Sequence, residues 1–177
     1  MKPKHLSEKR PIFENDFLSV YSVIADFGSF KKEYFVTDRR GGRVGTIVLD
    51  GNNVLLVRQY RFLINGASWE LPGGGLHPGE SAEDAAKREC EEEASVVCKN
   101  MSHLFEYEQG VDVTQSRAVI FECKDFEVGT DLHPNEETDD RAWVPYDQCV
   151  QMILDGEIKD SMTIMALLMH HRLASLS

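Results

Sequence analysis

Three glutamates on one face of one helix constrain this chain more than any other feature. Glu89, Glu92 and Glu93 stand at i, i+3 and i+4, so a helix through them aligns three carboxylates while Glu91 points elsewhere. The helix begins at Ser81, whose hydroxyl can accept from the backbone N–H three residues on. Asp84 occupies the acid position of a capping box, and the helix is expected to run to about Ser95. Like charges at this spacing repel by a few tenths of a kcal/mol per pair, at about the size seen for helical ion pairs. A hard divalent cation reverses that sign, because Mg²⁺ and Mn²⁺ prefer carboxylate oxygens and keep water positions open for phosphate. The plain alternative is a solvated, glutamate-rich face, and the helix alone does not separate the two.

The segments around this helix set the fold class. Phe17 to Phe27 and Lys31 to Val36 are expected strands, separated by the turn Gly28-Ser29. Arg43 to Leu49 and Asn53 to Arg58 form an expected hairpin, because Asp50-Gly51-Asn52-Asn53 supplies residues that tolerate positive φ. Ser68 to Leu71 is a short strand leading into Pro72-Gly73-Gly74-Gly75. Beyond the helix, strands are expected near His103 to Glu108, Arg117 to Cys123 and Ala142 to Val144, and a polar, acidic stretch lies over Lys124 to Arg141. Two helices close the chain, Asp147 to Leu154 and Ser161 to Leu173. In the second, Met165, Leu168, Met169 and Leu173 recur at helical spacing and are expected in the core. Strands, one central helix and closing helices make an α/β or α+β sandwich.

At 177 residues with 42% hydrophobic content, the chain fits one domain, or one domain with a small extra sheet. The formal net charge of −11 excludes general binding to nucleic acid or to an anionic membrane, which would both repel it. Phosphorylated ligands remain open if divalent cations lie between the charges. Met1 to Arg10 has no apolar leader pattern, and no stretch is long enough to span a bilayer. Cys90, Cys98, Cys123 and Cys149 lack metal-site spacing. They read as reduced, packed thiols of a cytoplasmic protein.

Gly74, five residues, Glu80, seven residues, then Arg88-Glu89-Cys90-Glu91-Glu92-Glu93 resembles the Nudix box, in which every charged position of the pattern is matched. The resemblance implies a Nudix-type α/β/α sandwich with a mixed sheet over residues 46–177, and a small N-terminal antiparallel β-sheet, a dimerisation element, over residues 1–45. It implies that Glu89, Glu92 and Glu93 hold Mg²⁺ or Mn²⁺, with the carbonyl of Gly73 as a further ligand, and that Glu92 and Glu93 act in catalysis. Glu80 and Arg88 would form an internal ion pair fixing loop to helix. Bound metal would neutralise a diphosphate, polarise the P–O bond and lower the pKa of an attacking water. Two positions depart from the pattern. Ser95 stands where the family has glycine, at a cost of roughly 1–2 kcal/mol if the position is left-handed. Cys90 replaces an aliphatic residue, as a small hydrophobe can.

Outside the box, Val57-Arg58-Gln59-Tyr60-Arg61, Ser68-Trp69-Glu70-Leu71-Pro72-Gly73-Gly74, Trp143-Val144-Pro145 and Gly156 to Leu168 resemble the ADP-ribose pyrophosphatase and nucleotide-sugar hydrolase branch. The implied substrate is a nucleoside diphosphate sugar, and the implied assembly a homodimer. Arg61 would bind phosphate through charge-assisted hydrogen bonds, with a plain surface arginine as the alternative. Trp69 would stack on a base or else pack in the core, and Glu70 would accept from base or ribose. The general base of this branch comes from an acidic loop after the box, which nominates Glu137 and, as a second choice, Glu136. Tyr107 to Val113 lacks the proline typical of ADP-ribose pyrophosphatases, which leaves GDP-sugars and other ADP-sugars open. Hydrolysis of oxidised nucleotides or dinucleoside polyphosphates is the alternative within the family. A catalytically silent, nucleotide-sensing domain is the alternative outside enzymology.

Overall fold

The computed structural model describes residues 1–129 and 138–174. The chain divides into two units, one of residues 1–42 and 107–117 and the other of residues 43–106 and 118–177.

The first unit is a five-stranded sheet. Strands β1 (His5–Leu6) and β2 (Arg10–Glu14) both pair antiparallel with β3 (Leu18–Asp26), which pairs antiparallel with β4 (Lys31–Arg39). A positive-φ glycine, Gly28, makes the β3–β4 turn. The fifth strand comes from much later in the chain: β10 (Thr114–Gln115) joins β4 in parallel. Sequence periodicity cannot reveal a two-residue strand of this kind.

The second unit holds a mixed sheet of seven strands. They are β5 (Arg43–Asp50), β6 (Asn53–Arg61), β7 (Gly66–Glu70), β8 (Gly73–Gly75), β9 (Val96–Glu108), β11 (Arg117–Val128) and β12 (Thr138–Pro145). The order is β12-β6-β5-β11-β9, with β7 on β6 and β8 on β5. β5 runs parallel to β11 and antiparallel to β6 and β8. Gly51 makes the β5–β6 turn at φ +59°. Helix α1 (Ala82–Ala94) carries the box. Its cap forms as the sequence implies, with the Ser81 hydroxyl accepting from Asp84 N–H at 3.1 Å.

Helices lie on both faces of β5. Val44 packs on α1 residues Ala85 and Ala86, with Phe121 of β11. Its neighbour Gly45 lies against Met162 of α3 (Ser161–Ala174) on the opposite face, where an added Cβ would stand 3.0 Å from the Met162 methyl. The core under α1 contains Val48, Leu55, Val57, Cys90, Ala94, Val96, Cys98 and Cys123. Cys90 therefore packs as the small hydrophobe expected, and all four cysteines are buried free thiols. Helix α2 (Tyr146–Leu154) precedes α3.

One expectation about α3 fails. Met165, Leu168, Met169 and Leu173 are 37–46% exposed, and the buried residues are Met162, Thr163, Ala166 and Leu167. The helix is apolar nearly all round, so more than one stripe satisfies a 3.6-residue period, and the sequence alone does not choose between them. Among the described residues, no helix is long and apolar enough to cross a membrane.

Candidate active site

The site forms where the glycine loop meets α1. Pairing of β8 with β5 places Gly73 against Gly45 and Gly74 against Val44. These contacts admit no side chain. A Cβ on Gly73 would collide with the Val44 carbonyl and stand 2.9 Å from the Gly45 Cα, and a Cβ on Gly74 would collide with the Glu89 carboxylate. The glycines thus bring backbone and two carboxylates of α1 into direct contact. The Gly73 N–H donates to Glu93 Oε2 at 2.9 Å.

Arg88 gathers the loop and the helix. Its Nε donates to Glu80 Oε1 at 2.9 Å and its Nη2 to Glu80 Oε2 at 3.1 Å and to the Gly75 carbonyl at 3.0 Å. Its Nη1 is shared between Glu89 Oε1 at 2.8 Å and Glu92 Oε2 at 3.0 Å. The fork holds the Glu80 carboxyl down at about 2, aided by the His77 N–H against the effect of burial. Glu80 and Arg88 are thereby joined into one bidentate pair tying loop to helix.

Glu89 and Glu93 lie in the opposite electrostatic situation. Both are buried, while Glu92 is half-exposed. Burial pushes the Glu93 carboxyl up to about 7, with the nearby Glu89 charge adding to it; Gly73 N–H, Gln59 and Arg61 oppose the rise. Burial also raises Glu89, against the opposing effect of Arg88. Buried carboxylates short of positive charge are a donor set that a hard cation would stabilise. In the arrangement described, Arg88 holds Glu89 and Glu92 while Gly73 holds Glu93. Among the described residues, no three acidic, histidine or cysteine side chains converge on one ion position. The chemistry of the donors fits a divalent metal, and their present partners are a guanidinium, a backbone N–H and a side-chain amide.

The substrate candidates are also brought together. Arg61, at the end of β6, donates from Nε to Glu70 Oε1 at 2.9 Å and from Nη2 to Glu70 Oε2 at 2.7 Å. Glu70 is 5% exposed, and this fork orients both side chains, with Arg61 near enough to Glu93 to lower its carboxyl. Trp69 lies on the other face of β7 from the buried Ser68 and Glu70, half-buried, and its backbone N–H donates to the Glu157 carbonyl at 3.0 Å. Glu136 and Glu137 lie outside the described residues.

Two residues the sequence did not single out complete the site. Gln59 is 1% exposed on β6, and its Nε2 donates to Glu93 Oε1 and, at 3.3 Å, lies on Thr138 Oγ1 of β12. The available signal was a glutamine in line with Leu55 and Val57 on a buried strand face, where an amide needs a partner.

Residues 39–165 match the family model described as NUDIX domain. The CMP-5'-(N-acetyl-N-hydroxy-3-aminopropyl)phosphonate hydrolase of Streptomyces rubellomurinus is 29% identical over 167 residues, covering 90% of this chain and 78% of that protein. The ADP-ribose pyrophosphatase of Mycobacterium tuberculosis is 29% identical over 134 residues, 73% of this chain and 65% of that protein. The ADP-ribose pyrophosphatase of Bacillus subtilis is 22% identical over 165 residues, 90% and 88% respectively. A crystal structure of an ADP compounds hydrolase has the same fold, with TM-score 0.84 at 17% identity over 99% of this chain and 95% of that one. With every charged position of the box present between Gly74 and Glu93 and a family model spanning most of its length, this chain belongs to the Nudix hydrolase family.

Proposed function

We propose that this chain hydrolyses the diphosphate bond of ADP-ribose or a related nucleoside diphosphate sugar, releasing a nucleoside monophosphate and a sugar phosphate. The observation that carries the reading is the box itself. Three acids lie on one helical face, two of them buried against a glycine loop that admits no side chain. The names of three relatives support the substrate class, because they name a nucleotide conjugate with either an ADP or a CMP half.

Glu89, Glu92 and Glu93, with the Gly73 carbonyl, are the residues that would hold Mg²⁺ or Mn²⁺. When bound, the ion supplies charge neutralisation at the diphosphate and a more acidic water. The chain's own groups do the rest. Arg88 and Glu80 hold the loop so that Gly73 N–H fixes one Glu93 oxygen. Arg61, oriented by Glu70, presents a guanidinium to phosphate. Trp69 is the face on which a base would stack, and Glu70 the acceptor for a base or ribose. Glu137, or Glu136, would take the proton from the attacking water. The N-terminal sheet would pair two copies into a homodimer, in a cytoplasmic setting.

The test is hydrolysis of ADP-ribose, GDP-mannose, ADP-glucose and diadenosine polyphosphates, with Mg²⁺ or chelator, for wild type and Glu93→Gln. Metal-dependent release of phosphomonoester from a sugar nucleotide, lost in the variant, is expected. Binding without turnover across the panel, unchanged by Glu93→Gln, would leave a nucleotide-sensing domain instead.

A further inference from the structure

Resting on the reading of Glu93 as a metal-face acid, we propose that Gln59 is a positioning residue that fixes the Glu93 carboxylate in the orientation needed to hold the ion. Glu93 Oε2 accepts from the Gly73 N–H at 2.9 Å and its Oε1 accepts from Gln59 Nε2. One donor alone leaves a carboxylate free to turn about its last torsion, which is a broad one. Two donors on different oxygens, from β8 and β6, set its plane. Gln59 is itself held in register, paired across the sheet with Thr138 on one side and Ser68 on the other. The same Nε2 reaches Thr138 Oγ1 at 3.3 Å.

Stability does not explain this glutamine. Its in-line neighbours Leu55 and Val57 are wholly buried and apolar. Among the described residues, Gln59 Oε1 is buried without a hydrogen-bond partner. An aliphatic side chain of similar volume would spare the fold an unmet acceptor. What an aliphatic residue cannot supply is the donor to Glu93. Orienting groups of this kind outside the ligand set characteristically govern metal affinity and activity by 10–100-fold.

The experiment measures Mn²⁺ binding by electron paramagnetic resonance without nucleotide, with steady-state hydrolysis of ADP-ribose and thermal melting in chelator. The proteins are wild type, Gln59→Leu, Glu93→Gln and the double variant. For Gln59→Leu, the expected results are a cooperative melt in chelator, the unmet acceptor removed offsetting the donor lost to Glu93, and Mn²⁺ affinity weaker by about 10–100-fold. A matching fall in kcat is expected, with KM changed by less than about threefold, the signature of an interaction that matters beyond substrate binding. In the double variant, adding Gln59→Leu to Glu93→Gln should weaken Mn²⁺ binding no further. A folded Gln59→Leu protein with Mn²⁺ affinity and kcat within about twofold of wild type, while Glu93→Gln loses both, overturns this proposal and leaves the function intact. Wild type that neither binds Mn²⁺ nor turns over the nucleotide overturns both. Should Gln59→Leu not fold, Gln59→Asn also withdraws the donor, through a shorter side chain, and is held to the same two outcomes.

Discussion

Replacing Glu93 by glutamine should make the metal-free protein more stable at alkaline pH while abolishing its activity. In the folded chain this carboxyl ionises at about 7, against 4.5 when unperturbed, because burial disfavours its charge. Below pH 4.5 the group is neutral in both states and contributes nothing. Between 4.5 and 7 the unfolded chain ionises first, so the folded state binds more protons and stability falls as pH rises. Above 7 the loss is complete, and at about 1.4 kcal/mol per tenfold it reaches roughly 3 kcal/mol. With the side chain 6% exposed, water screens little of this. The amide introduced by Glu93→Gln never ionises. Its oxygen can accept from Gly73 N–H while its NH₂ faces Gln59, whose amide can turn over to present Oε1, the atom that lacks a partner in the wild-type chain. One atom of the Gln59 amide is then unmet before and after the change, so the hydrogen-bond count does not offset the electrostatic gain. For a chain of this length, about 1–3 kcal/mol corresponds to about 3–9 °C in Tm. Melting curves in chelator should therefore show Glu93→Gln above wild type by that amount at pH 8, with the gap shrinking as pH falls and nearly closed at pH 4. Added Mg²⁺ should raise the Tm of the wild type alone. A variant less stable than wild type at pH 8 in chelator, or a difference independent of pH, would refute the claim that Glu93 is a charge the fold holds at a cost.

Arg88→Lys replaces a fork with a point charge and should lower stability by about 1–3 kcal/mol in urea denaturation, the usual scale for hydrogen bonds to charged groups. Because Arg88 holds Glu80 at about 2, this pair's contribution is whole above pH 4.5 and disappears as pH falls toward 2; the acid limb of the stability profile should be shallower in Arg88→Lys. Ser95 closes α1 at φ +51°, ψ +41°, so Ser95→Gly should stabilise by about 0.5–1 kcal/mol, net of the entropy glycine adds to the unfolded chain; a lower urea midpoint would contradict this. Gly73→Ala sets a methyl against the Val44 carbonyl and the Gly45 Cα. Backbone gives way less easily than a side chain, so it should cost about 1–3 kcal/mol or more, with a larger fall in kcat, read from melting and hydrolysis together.

What the sequence made legible follows from locality. The α1 cap needs Ser81 and Asp84, and the β5–β6 turn needs Asp50-Gly51-Asn52; each is decided within four residues. The box adds a spacing over 20 positions, from Gly74 to Glu93, and its Arg88–Glu80 fork lies within one loop and one helix. Less legible were contacts whose partners are far apart in the chain. Nothing in Thr114-Gln115 announces a strand beside β4, since two residues have no period. The buried stripe of α3 is chosen by Gly45, more than a hundred residues earlier, which leaves room for Met162. Arg61 and Glu70 were both nominated as substrate contacts, yet their mutual fork depends on β6 and β7 pairing antiparallel, Arg61 opposite Gly66.

The charge balance of the site explains how an acidic chain can be built to take a diphosphate. Glu80 takes the Arg88 fork, Glu89 and Glu92 divide its remaining arm, and Glu93 is left with N–H dipoles and the more distant Arg61. One guanidinium thus serves three carboxylates, while Arg61 is matched by Glu70. The resulting excess is negative, and two of the carboxylates are buried where their repulsion is least screened. A dication binding there would meet the fixed positive charges of Arg88 and, at greater distance, Arg61, each already matched by carboxylates, and would leave its outward side to phosphate oxygens and water. The −11 formal charge that repels nucleic acid at long range is therefore compatible with a short, doubly charged ligand, since screening reduces the long-range repulsion to little beyond about 10 Å at ordinary ionic strength. On this account, raising salt should strengthen nucleotide association modestly, by weakening the general repulsion, while leaving the requirement for the divalent ion unchanged. Titrations of ADP-ribose into Glu93→Gln and wild type at low and high salt, with Mg²⁺ fixed, would show this. Association that weakens steeply with salt would mean that surface cations, and not the box acids with their ion, attract the nucleotide.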